Sequence, residues 1–213
     1  MKDLKSWLTK KQLERTAELL KERGYEVFLV ENREEAKNKV LSLIPQEATV
    51  GIGGSITIRE IGVIEELEKR GNKVIHHWKE GLTPEQDLEI RRQELLSDVF
   101  LSSVNALTFS GEIVNMEAIG NRVAAQIFGP KKVIVVVGRN KLVVNLETAI
   151  WRIKNIVTPL NAKRLKLELP CADEGYCMNC NHPNRICRIT TILEAPPSRT
   201  PFTVILVNED LGF

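Results

Sequence analysis

The fold of this chain is decided by residues 48–57, which read Ala48-Thr49-Val50-Gly51-Ile52-Gly53-Gly54-Ser55-Ile56-Thr57. The run at 48–52 is apolar and β-branched, which is typical of a buried strand, and helical spacing of apolar residues follows over 57–70. A strand that leads into a helix through a glycine-rich turn is the repeating unit of parallel sheets. The stretch therefore predicts an α/β fold.

The same alternation continues along the chain in both directions. Helices are predicted at 4–23, 33–43, 57–70, from Pro84 onward, 121–128 and 146–157, and strands at 25–30, 48–52, 73–77, 98–102, 132–137, 141–144 and 202–207. Residues 107–109 and 112–115 meet at Ser110-Gly111, as in a hairpin. We expect one domain over 1–213, with a mostly parallel sheet, helices on both faces and antiparallel additions near the hairpin.

Composition limits the classes of function. The 213 residues carry 30 Lys+Arg and 28 Asp+Glu, a net charge of +2, which argues against binding to nucleic acid. No apolar run approaches the roughly 18 to 20 residues of a membrane-spanning helix, and no signal peptide pattern opens the sequence. Four cysteines grouped in one segment suit a reducing compartment, so we expect a cytoplasmic protein. The oligomeric state stays open.

The glycine-rich turn is the first candidate ligand site. Backbone N–H groups at the start of a helix attract phosphate or carboxylate, and glycine lets a ligand approach the backbone closely. The candidate ligand-binding residues here are Gly51, Gly53, Gly54, Ser55 and Thr57. The turn matches neither the Walker A pattern nor G-x-G-x-x-G. The structural alternative is a tight turn in which Ser55 caps the helix.

Further glycine and polar residues follow or flank other predicted strands. The additional ligand-binding candidates are Asn105, Gly111, Asn115, Gly120, Asn121, Arg122, Gly138, Asn140 and Lys141. Ligands of parallel α/β sheets bind beyond the carboxyl ends of the strands, where such loops converge. The sequence therefore predicts a pocket for a small anionic metabolite.

Two charged residues near these loops have both a chemical and a structural interpretation. Glu112 is the candidate catalytic residue, as a nucleophile or general base, or else an exposed strand carboxylate. Arg122 would clamp a carboxylate or phosphate, or else pair with Glu117 on a helix surface. For His76-His77, at the end of a predicted strand, a structural role is favoured.

The cysteine segment, residues 171–187, contains all four cysteines of the chain: Cys171, Cys177, Cys180 and Cys187. The central pair has C-x2-C spacing, and the other two lie six and seven positions away. Four thiolates suit zinc or an iron–sulfur cluster, and the spacing does not choose between them. The alternatives are free thiols, a disulfide or a redox-active pair. A metal site is predicted here.

Several motifs in combination resemble the lactate-utilisation (LUD) domain family. They are Gly51-Ile52-Gly53-Gly54-Ser55, the run at 98–108, Gly111-Glu112-Ile113-Val114-Asn115, Gly120-Asn121-Arg122-Val123-Ala124 and Gly129-Pro130-Lys131-Lys132-Val133. The resemblance implies a fold similar to the sugar-phosphate isomerase and coenzyme A transferase superfamily. It also implies a part in oxidising lactate or a related organic acid, together with iron–sulfur protein subunits.

Two other functions stay open from the sequence. One is a stand-alone isomerase- or transferase-like enzyme that acts on a sugar phosphate or an acyl-coenzyme A. The other is a noncatalytic subunit that senses a metabolite. The chain has no ferredoxin-like module, so any electron relay within it would depend on the cysteine segment.

Overall fold

The computed structural model describes residues 2–213, with side chains from Leu4 onward, and Met1 lies outside the described residues. The α-helices are α1 (Lys2–Glu22), α2 (Arg33–Leu43), α3 (Ile56–Glu60), α4 (Val63–Lys69), α5 (Pro84–Glu94), α6 (Asn121–Ile127), α7 (Leu146–Arg152), α8 (Thr158–Arg164) and α9 (Pro170–Glu174). The strands are β1 (Glu26–Val30), β2 (Val50–Ile52), β3 (Val74–Ile75), β4 (Val99–Ser102), β5 (Ala106–Thr108), β6 (Ile113–Glu117), β7 (Lys132–Gly138), β8 (Leu142–Val143), β9 (Ile189–Leu193) and β10 (Phe202–Val207). None of the helices in this part of the chain is both long and apolar enough to cross a membrane.

The central sheet has six strands in the order β1-β10-β7-β4-β2-β3, and all five neighbouring pairs are parallel. The predicted α/β class with a mostly parallel sheet is confirmed. From β2 the chain crosses outward to β3 and then returns to β4 on the other side of β2. Such a reversal of direction opens a crevice at the carboxyl ends of the strands.

The residues of β7 divide between the two hydrophobic cores of the sheet. Val133, Val135 and Val137 pack with apolar side chains of α1 on one face, whereas Ile134 and Val136 pack with those of α2, α3 and α4 on the other. All five side chains are fully buried, as expected of a strand that is covered on both sides. The predicted helices on both faces are present.

The predicted hairpin belongs to a second, four-stranded sheet in the order β8-β5-β6-β9. Strands β5 and β6 are antiparallel, and Gly111 closes their turn with φ +97°, a conformation that favours glycine. β9 follows the cysteine segment and pairs with β6, a pairing that the sequence did not indicate. The antiparallel additions are therefore larger than predicted.

Two predicted helices differ from the structure. The helix expected over 57–70 is interrupted at Gly62, whose φ of +64° ends one helical run and begins the next. The helix expected over 146–157 continues to Arg164 through a π-helical segment, Ile153–Val157, that joins α7 to α8. Pro159 is tolerated because it occupies an early position of α8.

Candidate functional site

A cavity of about 390 Å³ opens at the carboxyl edge of the central sheet. Its wall combines the ends of β2 and β4, the loop after β3, β6, the start of α6 and the helix from α7 to α8. The described residues that line it are Gly54, Ser55, Ile56, Thr57, Arg59, His77, Trp78, Arg91, Ser103, Val104, Asn105, Met116, Glu117, Ala118, Ile119, Asn121, Arg122, Lys141, Ile153, Val157, Thr158, Asn161, Arg164, Leu165, Ile186 and Phe213. The cavity therefore occupies the crevice that the strand order opens.

Lys141 lies in the wall of this cavity, in a short 3₁₀ turn after β7, and is only 4% exposed. Its Nζ donates to Thr57 Oγ1 at 2.7 Å and to Ser103 Oγ at 2.8 Å. Both hydroxyls use their own hydrogen elsewhere, on the carbonyl oxygens of Leu211 and Val136. An ammonium has three N–H donors, so the third has no partner among the described residues.

The charge of Lys141 is poorly compensated. Burial, together with the nearby Arg152 and Arg122, lowers the pKa of Lys141 to about 7. In the part of the chain that the structure describes, Lys141 forms no salt bridge. A bound anion would restore the charged form because an opposite charge favours the ammonium.

Arg122, which is buried in the same wall as Lys141, donates several hydrogen bonds to neighbouring residues. Its Nη1 donates to Ser103 O at 3.0 Å and to Asn115 Oδ1 at 2.6 Å, and its Nη2 donates to Asn105 Oδ1 at 3.0 Å. Its Nε is paired with Glu117, which was the structural alternative from the sequence. The guanidinium is thus largely occupied in fixing the loop after β4.

Positive charge predominates in the cavity wall. The described wall contains five basic side chains, Arg59, Arg91, Arg122, Lys141 and Arg164, and one side-chain carboxylate, Glu117. Arg91 is paired with Asp87, on its own helix.

Arg59 and Arg164 are exposed and have no carboxylate partner within residues 4–213. Burial and the neighbouring Arg59 lower the pKa of Arg164. Together with Lys141, these two cations leave the wall positive and suited to an organic anion.

A histidine and a carboxylate meet on another side of the cavity. His77 follows β3, and its Nδ1 lies 2.7 Å from Oε1 of Glu94, the last residue of α5. Glu94 is 0% exposed, and its second oxygen accepts from Asn121 Nδ2 at 3.2 Å. An ionised Glu94 can only accept, so Nδ1 would be the donor of this contact, and Nε2 of a neutral ring would keep its lone pair.

The three glycines of the turn have different roles. A Cβ on Gly51 would lie 2.5 Å from Glu94 O, and one on Gly53 would lie 2.8 Å from Phe100 Cζ, so both sites demand glycine for packing. A Cβ on Gly54 would make only ordinary contact, 3.6 Å from His77 Nε2. Gly54 is therefore the glycine of the turn that lines the cavity without a packing need for glycine, and no Cβ fills the space beside Nε2.

The structure brings half of the predicted ligand-binding residues together. Those that line the cavity are Gly54, Ser55, Thr57, Asn105, Asn121, Arg122 and Lys141. Ser55 also caps α3 by accepting from Ile58 N at 3.3 Å, the alternative noted from the sequence. Four others, Gly53, Asn115, Gly120 and Asn140, contact or adjoin lining residues. Gly138 packs against Asn140 and does not reach the lining.

Gly51, Gly111 and Glu112 lie away from the cavity wall. Glu112 stands beside the hairpin turn, where its carboxylate pairs with Arg23 at 2.8 Å and accepts from Ser110 at 2.6 Å. Burial would raise the pKa of Glu112, but hydrogen bonds from Ser110 and Thr108 outweigh it and lower the pKa below its ordinary value. A catalytic Glu112 stays a prediction that this cavity does not support.

The cysteine segment borders the same cavity through Ile186, the neighbour of Cys187. Cys171 is buried, and the pKa of its thiol is raised by burial and then by the nearby Cys180 and Cys187. All four thiols are free, and Cys187 Sγ accepts from Arg185 Nε at 3.4 Å.

The chemistry of four neighbouring sulfurs suits zinc or an iron–sulfur cluster. Yet within residues 2–213 no group of three or more His, Cys, Asp or Glu side chains is arranged to hold a metal ion. The sulfurs as arranged here do not form a closed metal site, and the metal stays a prediction.

Several site residues gave no usable signal in the sequence. Glu94 lies in the helix predicted from Pro84 onward, Ser103 follows the strand predicted at 98–102, and neither was singled out from the sequence. Ile153 and Val157 reach the cavity because the π-helical segment widens the helix at that wall, a feature often found at functional sites. The His77-Glu94 contact joins residues 17 positions apart, which only the fold brings together.

Comparison with known proteins agrees with this architecture. A crystal structure, at 1.70 Å resolution, of a DUF162 family protein from Deinococcus radiodurans has the same fold, with a TM-score of 0.56 and 14% sequence identity over 94% of this chain and 98% of that one. Among curated proteins, none matches this sequence. The family model of the LUD domain matches residues 13–207. The chain therefore belongs to the LUD domain family and is, at the level of that family, a protein related to lactate utilisation.

Proposed function

We propose that this protein binds a small organic anion in the cavity at the carboxyl edge of its central sheet and serves the utilisation of lactate or a related organic acid in the cytoplasm. One observation carries the proposal: Lys141 is buried at the cavity, hydrogen-bonded to two hydroxyls and without a carboxylate partner among the described residues. An oxygen atom of the bound anion accepts the third N–H of Lys141, and the nearby negative charge of the ligand offsets the charge of the ammonium.

The remaining wall supports the same ligand class. Arg59 and Arg164 extend the positive charge along the wall, and Asn105 adds polar groups that Arg122 holds in place. Apolar side chains from the π-helical segment, Ile153 and Val157, are suited to the carbon part of the ligand. Fixed polar groups beside apolar side chains are typical of small-molecule sites.

Calorimetric titration of the purified protein with L-lactate, pyruvate and inorganic phosphate tests the proposal. We expect at least one of them to bind, and Lys141→Met to weaken that binding by about 10- to 100-fold, the worth of one charge-assisted hydrogen bond. Lys10→Met is the matched control, since Lys10 is on α1 and away from the cavity wall. Binding of none of the three, or equal binding by the Lys141 variant, would refute the proposal.

We propose further that the cysteine segment binds an iron–sulfur cluster or a structural zinc ion, and that the protein works with iron–sulfur partner subunits. The four clustered thiols support the metal, and the position of Ile186 in the cavity wall supports a link to the ligand. Anaerobic purification, elemental analysis and an absorption spectrum provide the test. Iron with sulfide and visible absorption indicates a cluster, colourless protein with zinc indicates a structural site, and protein without either metal contradicts the proposal.

A further inference from the structure

We infer that the His77-Glu94 pair is a proton-transfer site, and that this chain by itself catalyses exchange of a proton on a carbon next to a carbonyl group in a small anionic carbonyl compound. The inference rests on the proposed anion-binding function, because the ligand of that cavity is the substrate. It goes beyond that function by assigning a reaction class and a base.

The geometry of the pair fits a general base. Glu94 is fully buried, and it is fixed by Asn121 Nδ2 at 3.2 Å and by its contact with His77 Nδ1 at 2.7 Å. The carboxylate orients the ring and selects the tautomer with hydrogen on Nδ1, as carboxylates do for catalytic histidines on unrelated folds.

The second ring nitrogen of His77, Nε2, belongs to a side chain that lines the cavity. His77 and Gly54 both line the cavity, and Nε2 is 3.6 Å from the point where a Cβ of Gly54 would stand. The His77 side chain is 7% exposed, and because Gly54 has no side chain, no Cβ narrows the approach to Nε2 on that side. A base must reach the proton it removes, and this nitrogen meets that requirement.

A second polar group serves the other half of the reaction. The turn from Gly54 to Thr57 connects the two sides of the site, since Gly54 adjoins His77 and Thr57 accepts from Lys141 Nζ at 2.7 Å. A buried N–H donor stabilises negative charge on oxygen more strongly than water does. Lys141 is thus suited to the carbonyl oxygen of the substrate, while Arg59 and Arg164 attract its anionic group.

The chemical step balances without an oxidant or reductant. His77 Nε2 takes the proton, the electron pair of the broken C–H bond forms a double bond to the carbonyl carbon, and the carbonyl π electrons move to oxygen. Lys141 stabilises the enolate oxygen. The hydrogen on Nε2 exchanges with solvent, and in D₂O His77 then returns a deuteron to the carbon. The substrate therefore gains deuterium at that position.

Proton exchange measured by NMR in D₂O tests the inference. Pyruvate and hydroxyacetone phosphate are the probes because both carry a methyl ketone, one with a carboxylate and the other with a phosphate, so that the two arms identify the anionic group. We expect the methyl signal of at least one probe to decay faster with protein than in buffer, at a rate that saturates with probe concentration.

His77→Gln is the decisive variant, and His76→Gln is its matched control because His76 is the adjacent histidine and is outside the cavity wall. We expect the His77 variant to lose on the order of 100-fold in exchange rate while it keeps its affinity for the probe in calorimetry, and the control to keep both. Gly54→Ala gives a second test, since a methyl group there makes only ordinary contacts yet covers Nε2. It should slow exchange on the order of tenfold without loss of folding.

The outcomes separate this inference from the proposed function. A probe that binds but exchanges no faster than in buffer refutes the proton-transfer site and leaves anion binding intact. Exchange that persists unchanged in His77→Gln refutes the role of His77. If neither probe binds, the result counts against the cavity as an anion site, and with it against both conclusions.

Discussion

Glu94 and Glu112 are two shielded carboxylates in different chemical situations. Glu112, beside the hairpin turn, is neutralised by Arg23 and held by Ser110, and these contacts keep its pKa low. Glu94, at the end of α5, has no arginine or lysine among its described contacts and is paired with His77 at the edge of a cavity. The comparison teaches that burial alone does not mark a carboxylate for chemistry. Glu112 has its charge neutralised by Arg23, whereas the proposed proton transfer rests on the contact of Glu94 with a histidine in the cavity wall.

The largest difference is expected in activity. Glu94→Gln should lower the proton-exchange rate on the order of 100-fold, because an amide no longer stabilises the protonated ring or selects its tautomer. Glu112→Gln should leave the rate unchanged, since Glu112 is away from the cavity wall. Exchange followed by NMR in D₂O measures both. If only the Glu112 variant lost activity, the catalytic role predicted from the sequence would be restored.

The packing of the glycine turn against Glu94 gives the next effect. A Cβ on Gly51 would stand 2.5 Å from the backbone oxygen of Glu94, which cannot move aside as a side chain does. We expect Gly51→Ala to lower the free energy of unfolding by about 1–3 kcal/mol. Gly54→Ala should change it by less than about 0.5 kcal/mol. Urea denaturation measures the free energy of unfolding of the two variants. Equal values would show that the turn shifts to accommodate a methyl group at position 51.

The buried cation Lys141 should make stability depend on pH. The pKa of Lys141 falls from 10.5 to about 7 on folding, so above pH 7 the unfolded chain binds more protons than the folded one. The free energy of unfolding should therefore rise between pH 7 and 9 by up to about 1.4 kcal/mol per pH unit from this group. Lys141→Met removes that rise. Urea titrations at several pH values measure the free energy of unfolding of the parent protein and the Lys141 variant. Equal slopes of that free energy against pH would contradict the prediction.

The smallest effect is expected at the hairpin. The Arg23-Glu112 pair is partly exposed, with 30% and 14% of the two side chains accessible, so Glu112→Gln should cost about 0.5–1 kcal/mol at neutral pH. The folded-state pKa of Glu112 is lowered, hence its contribution is present above the pKa of the unfolded chain and disappears as the pH falls through the folded value. Thermal denaturation from pH 7 to 3 measures it, and a pH-independent difference would exclude the charge as its cause.

Much of the architecture was predictable from local pattern. The apolar runs predicted the strands of the central sheet, and the turns between them predicted a ligand site at one edge. Half of the predicted ligand-binding residues line the cavity at that edge. The roles of the individual glycines were harder to predict, because a tightly packed turn and a turn that lines a cavity both favour glycine. Gly51 serves the first need and Gly54 the second.

The sequence by itself determined the α/β class, the family and the edge of the sheet at which the site lies, since these depend on periodicity and on short motifs. Only the tertiary structure decided which charges meet. Lys141 donates to Thr57, 84 positions away, and Arg23 pairs with Glu112, 89 positions away. His77, for which the sequence indicated no partner, contacts Glu94. The physical reason is that hydrogen bonds and charge pairs act over a few ångströms in space, and distance along the chain carries no information about them.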